Sequence, residues 1–283
     1  MEYLFHYTKE NNIDNILDKQ TLLFNNIFLT NDPYENKIFD MFDFKEINKD
    51  IDDNDSQRFY FQHYNNMKNR IIKTISFCMG ENNNEAINEN NRPAYLYPRM
   101  WAQYGNNSKG VCFIFKKDLL IKNIEKQLSS DFYIFSNPIN YIDIFDENHA
   151  KEIEKLIRNR NRIFKHPNQH KRNMLVKNII ENIDKYFFIK DKDWEGEHEF
   201  RILIINKSHN SDVSPKKIKL DMSEVLHRVI LGENFIYRNE EEEPINPEIK
   251  LKMITLLCQK KKVGLYSINR DIYRSKYILK KIL

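Results

Sequence analysis

Residues 194–205 read WEGEHEFRILII, and this stretch decides most of what the sequence says about the fold. Its last four residues are aliphatic, a run typical of a strand that is buried on both faces. Alternation along a strand predicts two faces, one with Glu195, Glu197, Glu199 and Arg201 and the other with Trp194, His198, Phe200 and Ile202. Strands disfavour Glu, and like charges on one strand face repel each other. This conflict favours a functional site, and a solvated strand end is the alternative.

The composition predicts a folded protein of a reducing compartment. The chain has 283 residues, of which 41% are hydrophobic, enough for a substantial core. Only 6 residues are glycine, and neither a GxGxxG nor a GxxxxGKS/T pattern occurs, which argues against glycine-rich phosphate sites. The net charge of +4 permits nucleic-acid binding without predicting it. Three separated cysteines, no signal sequence and no apolar stretch of membrane-spanning length predict a cytoplasmic protein without a membrane partner.

The hydrophobic periodicities predict a single α+β domain over residues 1–283. Strands are predicted at 3–8, 22–30, 71–78, 110–115, 225–231 and 263–268, helices at 11–19, 57–69, 118–128 and 248–261, and a polar loop at 81–92. Strands and helices are mixed without regular βαβ alternation, so we expect a mixed sheet that is split or strongly bent. Residues 148–192 are predicted to form a helical, charge-rich insertion within the domain.

Two polar motifs near the N-terminus are candidate ligand sites. His6 and Thr8 share one face of the first predicted strand and could both hydrogen-bond a sugar hydroxyl or an amide, although a buried core histidine is the alternative for His6. The second motif is the corner Asn31-Asp32-Pro33-Tyr34-Glu35. A turn explains Asp32 best, because Asp bonds its own backbone before Pro, whereas the role of Asn31 is more open.

Two aromatic residues form a third candidate. Trp101 and Tyr104 are spaced i,i+3 in a predicted helical turn, so they share a face and could form a stacking wall for a flat ring. The alternative is that both rings pack in the hydrophobic core, which is equally compatible with this spacing.

Four sequence blocks resemble a bacterial family known as domain of unknown function 2971. The blocks are an HYS/T start, an NDPxE corner, a WxxY segment with a following GxCxxF, and a WxxExExR segment. Here they are His6-Tyr7-Thr8, Asn31-Asp32-Pro33 with Glu35, Trp101 and Tyr104 with Gly110, Cys112 and Phe115, and Trp194 with Glu197, Glu199 and Arg201. All four occur in order over residues 3–206, which makes the match specific.

The order of these parts also resembles, more weakly, that of ADP-ribosyltransferases, particularly toxins that act on nucleic acid. The resemblance implies an ADP-ribosyltransferase-like fold and an enzyme that uses NAD as its substrate, either an ADP-ribosyltransferase or an NAD glycohydrolase. It implies that Glu199 stabilises the transition state as nicotinamide leaves and that Glu197 orients the acceptor. His6, with Tyr7, Thr8 and Asn31 near it, would hold the nucleotide, Tyr104 or Trp101 would stack on nicotinamide, and Arg201 would bind pyrophosphate or pair with Glu199.

The same resemblance implies a bacterial toxin or anti-phage defence effector. Its target would be a macromolecule, either nucleic acid or protein, and an antitoxin or another defence protein would be its partner. The Asn31-Asp32-Pro33 corner has no assigned counterpart in the transferase pattern.

Two other functions compete with the transferase. In the first, Asp32, Glu35, Glu197 and Glu199 form a carboxylate cluster that holds a divalent cation for phosphodiester cleavage. In the second, the protein is a non-catalytic module in which Trp101, Tyr104 and the basic predicted helix around residues 158–172 recognise a nucleotide or a nucleic-acid strand.

Overall fold

The computed structural model describes residues 2–29, 71–80, 93–143, 179–208, 214–235, 247–271 and 276–283, together with positions 146, 147, 151, 155 and 177. The predicted helix 57–69, the predicted loop 81–92, the corner at 31–35 and most of the predicted helical stretch 148–188 lie outside the described residues.

Within the described residues, ten strands form one mixed sheet. They are β1 (Tyr3–Thr8), β2 (Thr21–Asn26), β3 (Ile72–Cys78), β4 (Val111–Lys116), β5 (Phe132–Pro138), β8 (Glu199–Asn206), β9 (Lys216–Lys219), β10 (Leu226–Leu231), β11 (Gly264–Asp271) and β12 (Lys276–Lys281). The strand order is β12-β11-β10-β4-β1-β3-β2-β9, with β8 paired to β3 and β5 paired to β8. A small second sheet joins β6 (Asn140–Ile142) and β7 (Ile189–Asp191) in parallel.

Five α-helices accompany these strands in the described residues: α1 (Pro98–Gln103), α2 (Lys117–Leu128), α3 (Ile183–Phe187), α4 (Met222–Val225) and α5 (Pro247–Lys261). The predicted helix at 118–128 is confirmed by α2, which directs Leu120, Ile124 and Leu128 into the largest hydrophobic cluster. The predicted α+β class with a mixed sheet is also confirmed. No helix in the described part of the chain has both the length and the apolar character needed to cross a membrane.

The sheet opens along one edge of β3. Strand β8 pairs with β3 from Ile72 to Cys78 on one side. On the other side, β1 meets β3 at Cys78 and β2 meets it at Lys73 and Thr74. Between these contacts, residues 75–77 have no pairing strand on this edge among the described residues. A pocket lies at this opening, because β1 and β2 separate from each other there.

The stretch 194–205 folds differently from its predicted alternation. Lys192–Glu197 is a 3₁₀ helix, His198 has a left-handed φ of 43°, and β8 begins only at Glu199. The prediction that Trp194, Glu195, Glu197 and His198 lie on strand faces was therefore wrong, since charges two apart in sequence do not distinguish a strand from a tight turn. The buried strand itself is confirmed, because every residue from Glu199 to Ile205 is buried.

The end of the predicted helical insertion is also corrected. Residues 189–191 form β7 and not a helix, and Lys192 begins the 3₁₀ helix. Strand β7 pairs in parallel with β6, about 50 residues earlier in the chain, and this pairing satisfies the backbone hydrogen bonds of β7. The hydrophobic periodicity of the local sequence does not reveal a partner so far away.

Candidate functional site

The pocket at the opening of the sheet has a volume of about 320 Å³. Its walls come from β1, β2, β3, β7 and β9, from the end of the 3₁₀ helix and the start of β8, and from the end of α1 and the segment before β2. Seven of the residues predicted from the sequence line it, namely His6, Tyr7, Thr8, Tyr104, Glu197, Glu199 and Arg201. The fold thus brings together side chains from the two ends of the sequence pattern, in a volume at the lower end of the range of about 300–1,000 Å³ typical of ligand pockets.

A buried ionic network forms the charged wall of this pocket. The Nζ atom of Lys190 lies 2.9 Å from Oε2 of Glu197 and 2.7 Å from Oε2 of Glu199. Arg201 donates from Nε to Oε1 of Glu199 at 2.8 Å and from Nη2 to Oε2 at 3.1 Å. All four side chains are no more than 4% exposed, so the two cations balance the two carboxylates away from bulk water.

Glu199 contacts both cations of this network. In addition to the two cations, the hydroxyl of Ser76 donates to its Oε1 at 2.5 Å. Burial alone would raise the pKa of Glu199, but the charges of Arg201 and Lys190 and their hydrogen bonds outweigh burial and lower the pKa from 4.5 to about 2. Glu199 is therefore ionised throughout the neutral range.

Glu197 is held by fewer donors. The hydroxyl of Tyr104 donates to its Oε1 at 2.6 Å, and Lys190 donates to its Oε2. Glu197 ends the 3₁₀ helix, and the left-handed residue His198 turns the chain into β8 immediately after it. This turn places Glu197 and Glu199 on the same ammonium group, although only Glu199 belongs to the strand.

A left-handed turn positions Tyr104 at the end of α1. Asn106, Asn107 and Ser108 follow it with φ values of 49°, 52° and 65°. Asn adopts this conformation more readily than most residues. The turn is closed by the amide of Gly110, which donates to the carbonyl of Gly105 at 2.8 Å. The end of α1 is thereby tied to the start of β4 beside the pocket.

His6 lies on the wall where the sheet opens. Its Nδ1 is 3.1 Å from the carbonyl oxygen of Ser76, one of the residues that has no pairing strand on that edge. Because a carbonyl only accepts, Nδ1 carries the hydrogen and Nε2 is the acceptor in the neutral ring. Burial lowers the pKa of His6, although the bond to Ser76 works in the opposite direction. His6 therefore offers a neutral acceptor nitrogen at the pocket.

Tyr7 and Thr8 line the pocket but are also engaged in the fold. The hydroxyl of Tyr7 donates to the carbonyl of Ala94, and Oγ1 of Thr8 accepts a hydrogen bond from Asn12 at 2.7 Å.

Trp101 does not lie with the other predicted residues. Its indole is buried, donates from Nε1 to the carbonyl of Tyr95 at 2.8 Å and packs edge-on against Tyr7 at 5.0 Å between ring centroids. Of the two alternatives for this pair, the core applies to Trp101, whereas Tyr104 lines the pocket, so the two rings do not form one wall there. Asn31, the remaining predicted binding residue, lies outside the described residues.

The metal-dependent alternative requires a cluster of four carboxylates, and the described residues contain only two of them, Glu197 and Glu199. Among the described residues, no three His, Cys, Asp or Glu side chains are grouped so that they could hold a metal ion. Asp32 and Glu35, which would supply half of that cluster, lie outside the described residues.

Sequence reasoning missed three residues of the site. Lys190 bridges the carboxylates, Ser76 bonds Glu199, and the hydroxyl of Tyr141 accepts the backbone N–H of Glu199 at 2.8 Å. Only an indirect signal in the sequence pointed to Lys190. Glu197, Glu199 and Arg201 beside a buried strand have a net charge of one negative unit, and a buried negative charge needs a nearby cation.

Fold and site together define a class, a mixed α+β protein whose sheet opens around a ligand-sized pocket with a buried ionic wall. Residues 100–202 match the family model described as Protein of unknown function (DUF2971), and this match confirms the resemblance to that family, with the two later sequence blocks inside the matched range. The matched range contains Tyr104, Lys190, Glu197, Glu199 and Arg201, whereas His6 precedes it. No curated protein and no solved structure matches the chain.

Proposed function

We propose that this protein is an ADP-ribosyltransferase-like enzyme that uses NAD as a substrate and that the reaction takes place in the pocket beside β3. The observation that carries the proposal is the convergence of His6, Tyr104, Glu197 and Glu199 on one pocket. These residues lie up to 193 positions apart in the chain, and their meeting is what a shared ligand requires.

The chemistry of the pocket suits cleavage of the bond between nicotinamide and ribose. Positive charge develops on the ribose as nicotinamide leaves, and a fixed carboxylate in a site shielded from water stabilises such charge. Glu197 and Glu199 supply carboxylates that are already oriented by Lys190, Ser76 and Tyr104. Little reorganisation is then needed when the substrate arrives.

The remaining groups suit a nucleotide. The Nε2 atom of neutral His6 is an acceptor for a ribose hydroxyl, and Tyr104 offers an aromatic ring at the same pocket. Arg201 pairs with Glu199 and with the carbonyl of Phe187, so Lys217 of β9 is the lining cation that would meet the pyrophosphate. A pocket of about 320 Å³ suits one nucleoside, and the rest of NAD would extend from it.

The proposal includes the biological role. A protein that transfers ADP-ribose to a macromolecule inside a bacterial cell would serve as a toxin or an anti-phage defence effector. Nucleic acid or protein would be the target, and an antitoxin or another defence protein would restrain the activity.

The test uses purified protein and NAD that is labelled in the adenylate half. Cell lysate protein, RNA and DNA are added in separate tubes, and nicotinamide release and label transfer are both followed. Wild type is compared with Glu197→Gln and with Glu195→Gln, a matched control because Glu195 is exposed in the same 3₁₀ helix. Transfer that Glu197→Gln removes and Glu195→Gln retains supports the enzyme and identifies the target class. Equal transfer by both variants, or none by wild type in any tube, rejects it.

One observation favours a second function, a non-catalytic nucleotide-binding module. Both oxygens of Glu199 are fully engaged by protein donors, which suits a rigid binding wall as well as it suits catalysis. In that case NAD or a related nucleotide would raise the melting temperature of the protein, while nicotinamide release would stay at the background rate in every tube.

A further inference from the structure

Lys190 belongs to the segment that precedes β8, and its side chain is part of the site. It lies on β7, its side chain is 3% exposed, and its single ammonium group contacts both Glu197 and Glu199. Two more contacts come from the same region. The hydroxyl of Tyr141 on β6 receives the backbone N–H of Glu199, and the carbonyl of Phe187 receives Nη1 of Arg201 at 2.6 Å. The small sheet of β6 and β7 therefore completes the ionic wall of the pocket.

The two carboxylates differ in their remaining capacity to accept hydrogen bonds. A carboxylate offers about four acceptor positions. Glu199 uses all four, for Ser76, Lys190 and two nitrogens of Arg201. Glu197 uses two, for Tyr104 and Lys190, and its other positions have no protein donor among the described residues. A hydroxyl group that enters the pocket therefore finds its acceptor on Glu197.

We infer that Lys190 is a positioning residue of the proposed NAD site, which keeps Glu197 paired with a cation and oriented toward a ligand hydroxyl while Glu199 anchors Lys190 and Arg201. This inference rests on the proposed function for the identity of the ligand. Without Lys190, the two carboxylates keep one of the two cations seen in the described network, Arg201, which donates to Glu199. The unpaired carboxylate, Glu197, would then take up a proton.

Within the described residues, other titratable groups face this network from several elements. They are Tyr104 at the end of α1, Tyr141 on β6 and Cys78 on β3. Burial raises the pKa of Tyr141 and that of Cys78 well above their ordinary values, so both groups are uncharged in the neutral range. A proton that is bound near pH 7 after the loss of Lys190 is thus assigned to the carboxylate pair.

The first arm of the test needs no ligand. Urea unfolding of Lys190→Met, Lys190→Arg and wild type is measured at pH 5.5 and pH 8.5. Relative to wild type, we expect the folding equilibrium constant of Lys190→Met to fall by tenfold or more between the two pH values, because the folded variant must release its extra proton. Lys190→Arg restores the cation and should show no such pH dependence. The double variant Lys190→Met with Glu197→Gln should lose it as well, since the proton-binding carboxylate is gone.

An equal loss for Lys190→Met at both pH values would overturn the inference, as would retention of the pH dependence in the double variant. The second arm measures nicotinamide release from NAD. Here Lys190→Met should lower kcat tenfold or more with little change in KM, and Lys190→Arg should recover part of kcat. Unchanged kcat in Lys190→Met would also overturn the positioning role. If wild type neither binds nor cleaves NAD, the proposed function fails, and the first arm alone decides the role of Lys190.

Discussion

Replacing Glu199 by Gln removes the carboxylate that two buried cations share. Arg201 and Lys190 are 1% and 3% exposed and both donate to Glu199, so the substitution removes one carboxylate from the surroundings of both buried cations. The amide of Gln keeps the size and shape of the side chain. Any decrease in the free energy of unfolding of Glu199→Gln therefore comes from lost charge interactions and not from lost packing contacts.

Two independent arguments give the magnitude. Removing one partner of a buried ion pair costs about 3–5 kcal/mol. The pKa of Glu199 falls from 4.5 to about 2 on folding, and a tenfold change in an acid dissociation constant corresponds to about 1.4 kcal/mol, so the ionised carboxylate contributes about 3 kcal/mol at pH 7. Because the pKa is lowered in the folded state, this contribution is complete above pH 4.5, declines to about 2 kcal/mol near pH 3.5 and disappears toward pH 2.

The assay is urea unfolding of wild type and Glu199→Gln from pH 7 to pH 3.5. We expect the wild type to be more stable by about 3 kcal/mol at pH 7, and we expect this difference to shrink by about 1 kcal/mol at pH 3.5. The control Glu195→Gln changes an exposed carboxylate and should shift stability by less than about 0.5 kcal/mol. A difference that stays constant across this pH range, or a variant as stable as wild type at pH 7, would contradict the ionic network.

Three further predictions concern the walls of the site. Trp101→Ala should lower the free energy of unfolding by about 3–5 kcal/mol, because the indole is buried in the core, and a stable variant that has lost NAD binding would contradict this assignment. Gly110→Ala should lower the melting temperature clearly, because a Cβ there would lie 2.2 Å from the carbonyl oxygen of Thr8, and an unchanged melting temperature would refute the close approach. NAD affinity, measured by calorimetry, should stay constant from pH 7.5 to pH 8.5, because burial lowers the pKa of His6 below its ordinary value of 6.5, and a steep change over this range would contradict that lowering.

The buried part of β8 was predictable from the sequence, whereas its beginning was not. Four consecutive aliphatic residues have few alternatives to a buried strand, and the strand forms as expected. The alternating charges upstream fit a strand equally well by period, but the left-handed residue His198 separates the 3₁₀ helix from β8. The conformation of a single residue decided this boundary, and His gives no sequence signal as clear as that of Gly.

Several residues that the sequence singled out, among them His6, Glu197 and Arg201, line the same pocket, whereas the contacts between them were not predictable. Lys190 was missed because it is one Lys among many in a charge-rich region, and only the parallel pairing of β7 with β6 carries it into the core. Trp101 and Tyr104 were correctly placed on one helical turn, but the spacing of three residues does not tell which of them faces the core.

The most direct test of the central claim is a crystal structure of the wild-type protein with an NAD analogue whose bond between nicotinamide and ribose resists cleavage. We expect the ribose on the nicotinamide side to lie in the pocket beside β3, with a hydroxyl at a hydrogen-bond distance of about 3 Å from Glu197 and the ring of Tyr104 close to nicotinamide. An analogue bound elsewhere on the protein, or a pocket that stays empty at saturating analogue, would contradict the account.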